Sequence, residues 1–130
     1  MRVITFGTYD VFHIGHLNLI KRARALGDGL FVGVSSDKMN VNKKGRNTVY
    51  PEHERMAIIA HLRGVDGGFL EESMLLKRQY LTEHNADVLV MGDDWAGKFD
   101  EFKDICQVVY LPRTVGVSTT ETILEIRRYE

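Results

Sequence analysis

The sequence has little of what marks secreted, membrane-spanning or nucleic-acid-binding proteins. Its 130 residues include one cysteine, Cys106, so no disulfide can form within the chain, and the cytoplasm is the expected location. No apolar run approaches the roughly 20 residues that a transmembrane helix needs, and residues 1–3 enter a predicted strand rather than a signal peptide. The net charge of −1 disfavours nucleic acid or a membrane as a general partner. A small anionic substrate stays compatible with this charge, because its binding depends on local charge.

The chain also lacks any repeat, linker or low-complexity tract, so we expect one domain covering residues 1–130. A G-x-x-x-x-G-K-[ST] phosphate-binding loop is missing as well, and this disfavours an ordinary P-loop NTPase. Hydrophobic residues make up 44% of the sequence and charged residues 27%, which is typical of a globular protein with a substantial core.

Short apolar runs alternate with amphipathic stretches along the whole chain. The apolar runs predict strands over residues 2–6, 30–34, 69–70, 87–91 and 108–111. The amphipathic stretches predict helices over residues 16–26, 51–62, 74–84, 98–104 and 119–128. Residues 35–50 are polar without periodicity, and they predict a loop. This alternation predicts an α/β fold: a single Rossmann-like domain with a five-stranded parallel sheet and helices on both faces.

The turn after the first predicted strand carries two histidines. His13 and His16 are three residues apart with Gly15 between them, so both imidazoles face one side of the opening helical turn. An imidazole can donate a hydrogen bond to a phosphoryl oxygen and titrates near neutral pH. Two alternatives are a plain helix cap and a zinc site in which Asp10 completes a 2-His-1-carboxylate set. No further histidine or cysteine has a spacing that supports the zinc site.

Two other segments suit an anionic ligand. Ser118 with Glu121 predicts a capped helix start, where free N–H groups can bind phosphate next to Arg113. The polar segment 35–50 is either a solvated loop or a mobile basic flap that closes over a triphosphate, and its candidate contacts are Lys43, Lys44 and Arg46.

Three motifs together resemble one enzyme superfamily. The HxGH motif at residues 13–16, which follows a GTxD segment at 7–10, resembles the signature of the nucleotidylyltransferases. The GDDW motif at 92–95 and the RTxGxSTT motif at 113–120 are similar to segments of the cytidylyltransferase group, most closely the glycerol-3-phosphate cytidylyltransferases. Val115 stands where an acidic residue is common in that group.

The resemblance implies that a phosphorylated acceptor attacks the α-phosphorus of CTP and that pyrophosphate leaves. The best-matched acceptor is sn-glycerol 3-phosphate, with CDP-glycerol as the product. The histidines would stabilise the transition state rather than form a phosphohistidine. Mg²⁺ is expected to accompany CTP without a dedicated protein site, and a homodimer is expected.

The resemblance also assigns residues. Catalytic roles fall on His13, His16, Lys43 and Arg113. Nucleotide contacts fall on Thr8, Tyr9, Asp10, His13, His16, Asp94, Trp95, Arg113, Thr114, Ser118 and Thr119. Acceptor contacts fall on Lys43, Lys44, Arg55, Arg63 and Asp66, of which the last two match an RxVD segment that the family uses near the substrate site and a dimer contact. A simple ion pair at a helix end is the alternative for Arg63 and Asp66.

Three other functions stay open at this point. Adenylyl transfer is known within the same superfamily. Cytidylyl transfer to phosphocholine, phosphoethanolamine or a sugar phosphate would use the same motifs. A nucleotide-binding regulatory domain without activity is the third alternative.

Overall fold

Five parallel strands form the sheet of the computed structural model, which describes residues 1–45 and 47–129. The strands are β1 (Arg2–Gly7), β2 (Gly29–Ser35), β3 (Gly67–Glu71), β4 (Val88–Gly92) and β5 (Gln107–Leu111). The α-helices are α1 (Ile14–Arg24), α2 (Asp37–Lys44), α3 (Glu52–Ala60), α4 (Lys77–Glu83) and α5 (Thr119–Arg127). Short 3₁₀ helices cover Met74–Leu76, Asp93–Trp95 and Asp100–Asp104.

The strand order is β3-β2-β1-β4-β5, and every pairing is parallel. In the register of the sheet, Val3 of β1 pairs with Leu30 of β2 on one side and Val88 of β4 on the other. The predicted parallel α/β sheet is therefore confirmed. The direction in which strands are added reverses between β1 and β4, and the crevice outside the carboxyl ends at such a reversal is where ligands bind in open α/β sheets.

Both faces of the sheet are buried, as expected for strands that read as nearly continuous apolar runs. Val3 of β1 packs with Ile20 of α1 and Ile59 of α3 on one face. Ile4 of β1 packs with Leu81 of α4 on the other. Neighbouring residues of one strand thus belong to different core clusters. No helix among the described residues is long and apolar enough to cross a bilayer.

The predicted loop over residues 35–50 is wrong for its first half, where the chain forms α2. The Ser36 side chain caps this helix by accepting a hydrogen bond from Met39 N, and Gly45 ends it with a positive φ of 71°. Helical periodicity is hard to see here because Met39 is the one apolar residue of α2 in the core. Arg46 and the side chains of Lys43 and Lys44 lie outside the described part of the chain.

The other helix boundaries differ from prediction by small amounts with physical causes. Helix α1 starts at Ile14 rather than residue 16, because His13 caps it. The helix predicted over 74–84 is divided into a 3₁₀ turn and α4, and the Ser73 side chain caps the turn. Strand β3 runs from Gly67 to Glu71 and is longer than predicted, which carries Glu71 to the carboxyl edge of the sheet.

Candidate active site

A cavity of about 580 Å³ opens at the carboxyl ends of β1, β4 and β5, and the first turns of α1 and α5 flank it. It lies at the reversal in strand order. Every residue predicted to contact the nucleotide lines it: Thr8, Tyr9, Asp10, His13, His16, Asp94, Trp95, Arg113, Thr114, Ser118 and Thr119. We call this space the histidine cavity.

The two histidines cap α1 reciprocally. Nδ1 of His13 accepts a hydrogen bond from Gly15 N at 3.0 Å, and Nδ1 of His16 accepts one from His13 N at 3.2 Å. Their rings stack with centroids 3.9 Å apart. A Cβ atom on Gly15 would lie 2.8 Å from Cε1 of His13, closer than packing allows. The HxGH spacing therefore suits a capping box between His13 and His16, and the glycine leaves room for the His13 ring.

Both imidazoles are neutral at neutral pH. Burial first, and then the neighbouring His13, lower the pKa of His16 to about 4, while Asp10 opposes the shift. Burial, and then the charge of Arg113, lower the pKa of His13. A neutral imidazole carries one proton, and because each Nδ1 accepts a hydrogen bond that proton must sit on Nε2. Each histidine that lines the cavity therefore has an Nε2–H group as its donor.

Asp10 braces the strained turn between β1 and α1. Its neighbours Tyr9 and Val11 have φ values of 56° and 47°, in the left-handed region that a branched side chain rarely adopts. The Asp10 carboxylate accepts hydrogen bonds from Val49 N at 2.7 Å and Tyr50 N at 2.9 Å, and from Val11 N at 3.1 Å. This carboxylate therefore fixes a segment about 40 residues away against the turn.

The start of α5 forms the opposite wall. The Ser118 side chain accepts a hydrogen bond from Glu121 N at 3.0 Å, the predicted helix cap. The Thr119 hydroxyl donates to the carbonyl oxygen of Asp10 at 2.8 Å, which joins this helix to the histidine turn. Thr114 accepts a hydrogen bond from Asn18 of α1. A helix start with free N–H groups thus faces the cavity and suits an anion.

Helix α2 is also anchored to the cavity wall. Asn40 is fully buried, and its side-chain oxygen accepts hydrogen bonds from the hydroxyls of Thr8 and Ser35 at 3.2 and 3.1 Å. Thr8 lines the cavity. The backbone of Lys43 and Lys44 forms the last turn of this anchored helix.

A model of cytidylyltransferase-like proteins matches residues 4–126. The chain belongs to the cytidylyltransferase-like family. It is 48% identical over 125 residues to a glycerol-3-phosphate cytidylyltransferase of Bacillus subtilis, and the aligned region covers 96% of each protein. It is 42% identical over 125 residues to the Staphylococcus aureus protein of the same name, with 96% of this chain and 94% of that protein covered.

The fold of this cytidylyltransferase-like chain also matches a solved structure. A lipopolysaccharide core biosynthesis protein from Thermoplasma volcanium superposes with a TM-score of 0.73 at 25% identity, covering 88% of this chain and 98% of that one. This match agrees with a Rossmann-like domain.

Three residues predicted to bind the acceptor lie away from the histidine cavity. Arg55 of α3 has no exposed surface, and its guanidinium donates to the carbonyl oxygens of Tyr50, Thr8 and Ser35 and to the Asp37 carboxylate. It is therefore an internal brace. Arg63 and Asp66 lie in the connection from α3 to β3, at the amino edge of the sheet.

Asp66 has a structural task at that edge. Its carboxylate accepts a hydrogen bond from Leu30 N at 2.9 Å and so holds the start of β2. Within one chain the sheet separates Asp66 and Arg63 from the histidines.

Sequence reasoning missed several residues of the cavity wall. Asn47, Thr48 and Val49 line it because Asp10 holds their segment, and no local sequence signal shows such a distant contact. Ile123 and Arg127 line it from α5. The sequence could have predicted these two. Ile123 follows Thr120 by three residues and Thr119 by four, and Arg127 follows Thr120 by seven, so all four share one helix face.

Proposed function

We propose that this protein transfers the cytidylyl group of CTP to sn-glycerol 3-phosphate, giving CDP-glycerol and pyrophosphate. The observation that carries this proposal is the pair of neutral histidines whose Nδ1 atoms cap α1, which leaves two Nε2–H donors in a cavity at the carboxyl edge of the sheet. The similarity to proteins named glycerol-3-phosphate cytidylyltransferase supports the choice of both substrates.

The reaction is an in-line displacement. A phosphate oxygen of the acceptor forms a bond to the α-phosphorus of CTP, the bond from that phosphorus to the bridging oxygen breaks, and pyrophosphate leaves with the electron pair. Such transfers need positioning and stabilisation of charge rather than covalent help. The Nε2–H groups of His13 and His16 supply hydrogen bonds to the phosphoryl oxygens where charge builds, and no proton has to move.

The remaining walls would hold the nucleotide. Arg113 and the N–H groups at the start of α5 carry positive potential toward the phosphates. Lys43 and Lys44, in the last turn of α2, are proposed to contact the leaving pyrophosphate. Asp94 and Trp95 follow β4 and are proposed to flank the cytosine, the carboxylate facing the base edge and the indole offering an apolar wall.

Within residues 1–45 and 47–129, no cluster of three His, Cys, Asp or Glu side chains is placed to hold a metal ion. The Asp10 carboxylate accepts backbone hydrogen bonds instead. We therefore propose that Mg²⁺ arrives as the complex with CTP, bound through the phosphates. A homodimer and a cytoplasmic location are further parts of the proposal.

The direct test is pyrophosphate release with Mg²⁺ and each of CTP, ATP, GTP and UTP, with and without sn-glycerol 3-phosphate. We expect release with CTP alone among the four, and only when the acceptor is present. Release that requires ATP would contradict the donor. CTP-dependent release that ignores sn-glycerol 3-phosphate but responds to another phosphorylated alcohol would keep the chemistry and overturn the acceptor.

A further inference from the structure

A second, smaller cavity of about 260 Å³ adjoins the histidine cavity on the α4 side of the sheet. The two cavities share a wall that includes Gly7, Thr8 and Trp95. A phosphate held beside the histidines can therefore extend an attached group into the smaller space. We call this space the α4 cavity.

A buried ion pair lines the α4 cavity. The ammonium of Lys77, the first residue of α4, lies 2.7 Å from Oε2 of Glu71, the last residue of β3, and both side chains are 2% exposed. Burial of two charges is costly even when they are paired, so an ion pair is weak as a device for stability alone. Its place at the carboxyl edge of the sheet, beside the reaction centre, points to recognition.

Aromatic rings surround the same ammonium. Nζ of Lys77 lies 3.9 Å from the ring centroid of Phe6 and 5.0 Å from that of Phe99. Both rings line the α4 cavity. An aromatic wall with a carboxylate would suit an ammonium ligand, because ring faces and a negative charge both attract cations. Here a cation of the protein itself already occupies that position.

We propose that Lys77, paired with Glu71, makes the α4 cavity a subsite for the alcohol portion of the acceptor and selects a neutral polyol over an amino-alcohol. This inference rests on the proposed cytidylyl transfer. A neutral diol can donate its hydroxyl hydrogens to the Glu71 carboxylate and accept a hydrogen bond from the Lys77 ammonium. A choline or ethanolamine head would meet a like charge, with the aromatic faces and the carboxylate already engaged.

The test compares acceptors in Lys77→Met and wild-type protein. With CTP, we measure kcat/KM for sn-glycerol 3-phosphate and for phosphoethanolamine, and take the ratio as the selectivity. Lys77→Met retains the length of the side chain and leaves Glu71 and the rings free to bind a cation. We expect the selectivity for sn-glycerol 3-phosphate to fall by roughly 100-fold, since a like-charge contact is exchanged for an opposite-charge one.

Two further variants keep the test decisive. Lys103→Met, at an exposed ammonium that lines neither cavity, should leave the selectivity unchanged. Lys77→Met alone leaves the buried Glu71 carboxylate without its ammonium partner, and this could prevent folding. The double variant Glu71→Gln/Lys77→Met removes both charges and serves in its place if the single variant does not fold. We expect this double variant to lose roughly tenfold in selectivity, because the repulsive cation is gone.

The proposal is overturned if folded Lys77→Met, or the double variant in its place, keeps the wild-type selectivity. Binding of CTP, followed by calorimetry, should change little in either variant. Absence of CTP-dependent turnover by the wild-type protein with every acceptor would contradict the proposed function itself, a result distinct from a failure of selectivity.

Discussion

At the scale of single residues, the two ring nitrogens of each histidine in the histidine cavity have different surroundings. Nδ1 of His13 and His16 satisfies backbone donors at the start of α1, and this fixes the position and tautomer of each ring. Nε2 is then left as a donor with a set direction. The helix cap that the sequence offered as an alternative for these histidines is therefore present, and it leaves Nε2 of each ring available for the proposed catalytic role.

His16→Ala should separate catalysis from binding. Loss of one donor to the transition state costs roughly 10²–10³ in rate, so kcat should fall by that factor. CTP affinity should stay within several-fold, because the proposed phosphate contacts of Arg113 and α5 are unchanged in this variant. Pyrophosphate release gives kcat, and calorimetry gives affinity. His53→Ala, at an exposed histidine of α3, is the control. An equal loss of rate and affinity would show that His16 binds the ground state as strongly as the transition state.

The lowered pKa values predict a pH profile. The pKa of His16 is about 4 in the fold against an ordinary value of 6.5, so the unfolded chain binds more protons in that interval. Stability from this group is complete above pH 6.5 and is lost as the pH falls toward 4. We expect the melting temperature to fall as the pH decreases from 6.5 toward 4, and to fall less in His16→Ala, which lacks the shifted group. An equal fall in the melting temperatures of the wild-type protein and His16→Ala over this interval would contradict the lowered pKa of His16.

At the scale of elements, the sequence predicts what depends on local pattern and misses what depends on distant contacts. The apolar runs locate the strands, and Ser118 locates the start of α5, because strand burial and helix caps leave local signals. Helix α2 leaves only its cap residues, Ser36 and Gly45, as local signals. Its tertiary anchor is Asn40, whose partners lie in β2 and the turn after β1, and no local pattern shows those contacts. The ties from Asp10 to residues 49–50 are equally invisible in the sequence.

Arg55→Met should destabilise the protein rather than weaken acceptor binding directly. The variant removes a buried guanidinium and leaves the carboxylate of Asp37 and three carbonyl oxygens without it. We expect the free energy of unfolding to fall by about 3 kcal/mol, measured by denaturant titration, because carbonyl oxygens at a buried site lose their hydrogen-bond donor. Arg78→Met, which breaks an exposed pair with Asp104, should cost at most about 1 kcal/mol. Equal losses in the two variants would contradict the bracing role.

At the scale of the whole molecule, the strand order is the feature that the sequence leaves undetermined. Patterns of apolar residues identify five strands, but the placement of β1 between β2 and β4 depends on pairings between residues far apart in the chain, such as Thr5 with Val32 and with Val90. That placement creates the crevice in which the HxGH, GDDW and RTxGxSTT segments meet. The sequence supplies the three segments, and the topology brings them together.

Because the histidine cavity is built from elements at both ends of the chain, a ligand in it should stabilise the entire fold. CTP at 100 times its dissociation constant adds about 2.7 kcal/mol to the free energy of unfolding. In a domain of this size that is a rise of roughly 10 °C in melting temperature. We expect the rise with CTP and Mg²⁺, and a much smaller one with ATP at the same concentration, measured by calorimetry. His16→Ala should keep the rise, since that variant loses rate rather than affinity. Equal shifts with CTP and ATP would mean that the cavity holds a triphosphate without distinguishing its base, and the role proposed for Asp94 and Trp95 would be lost.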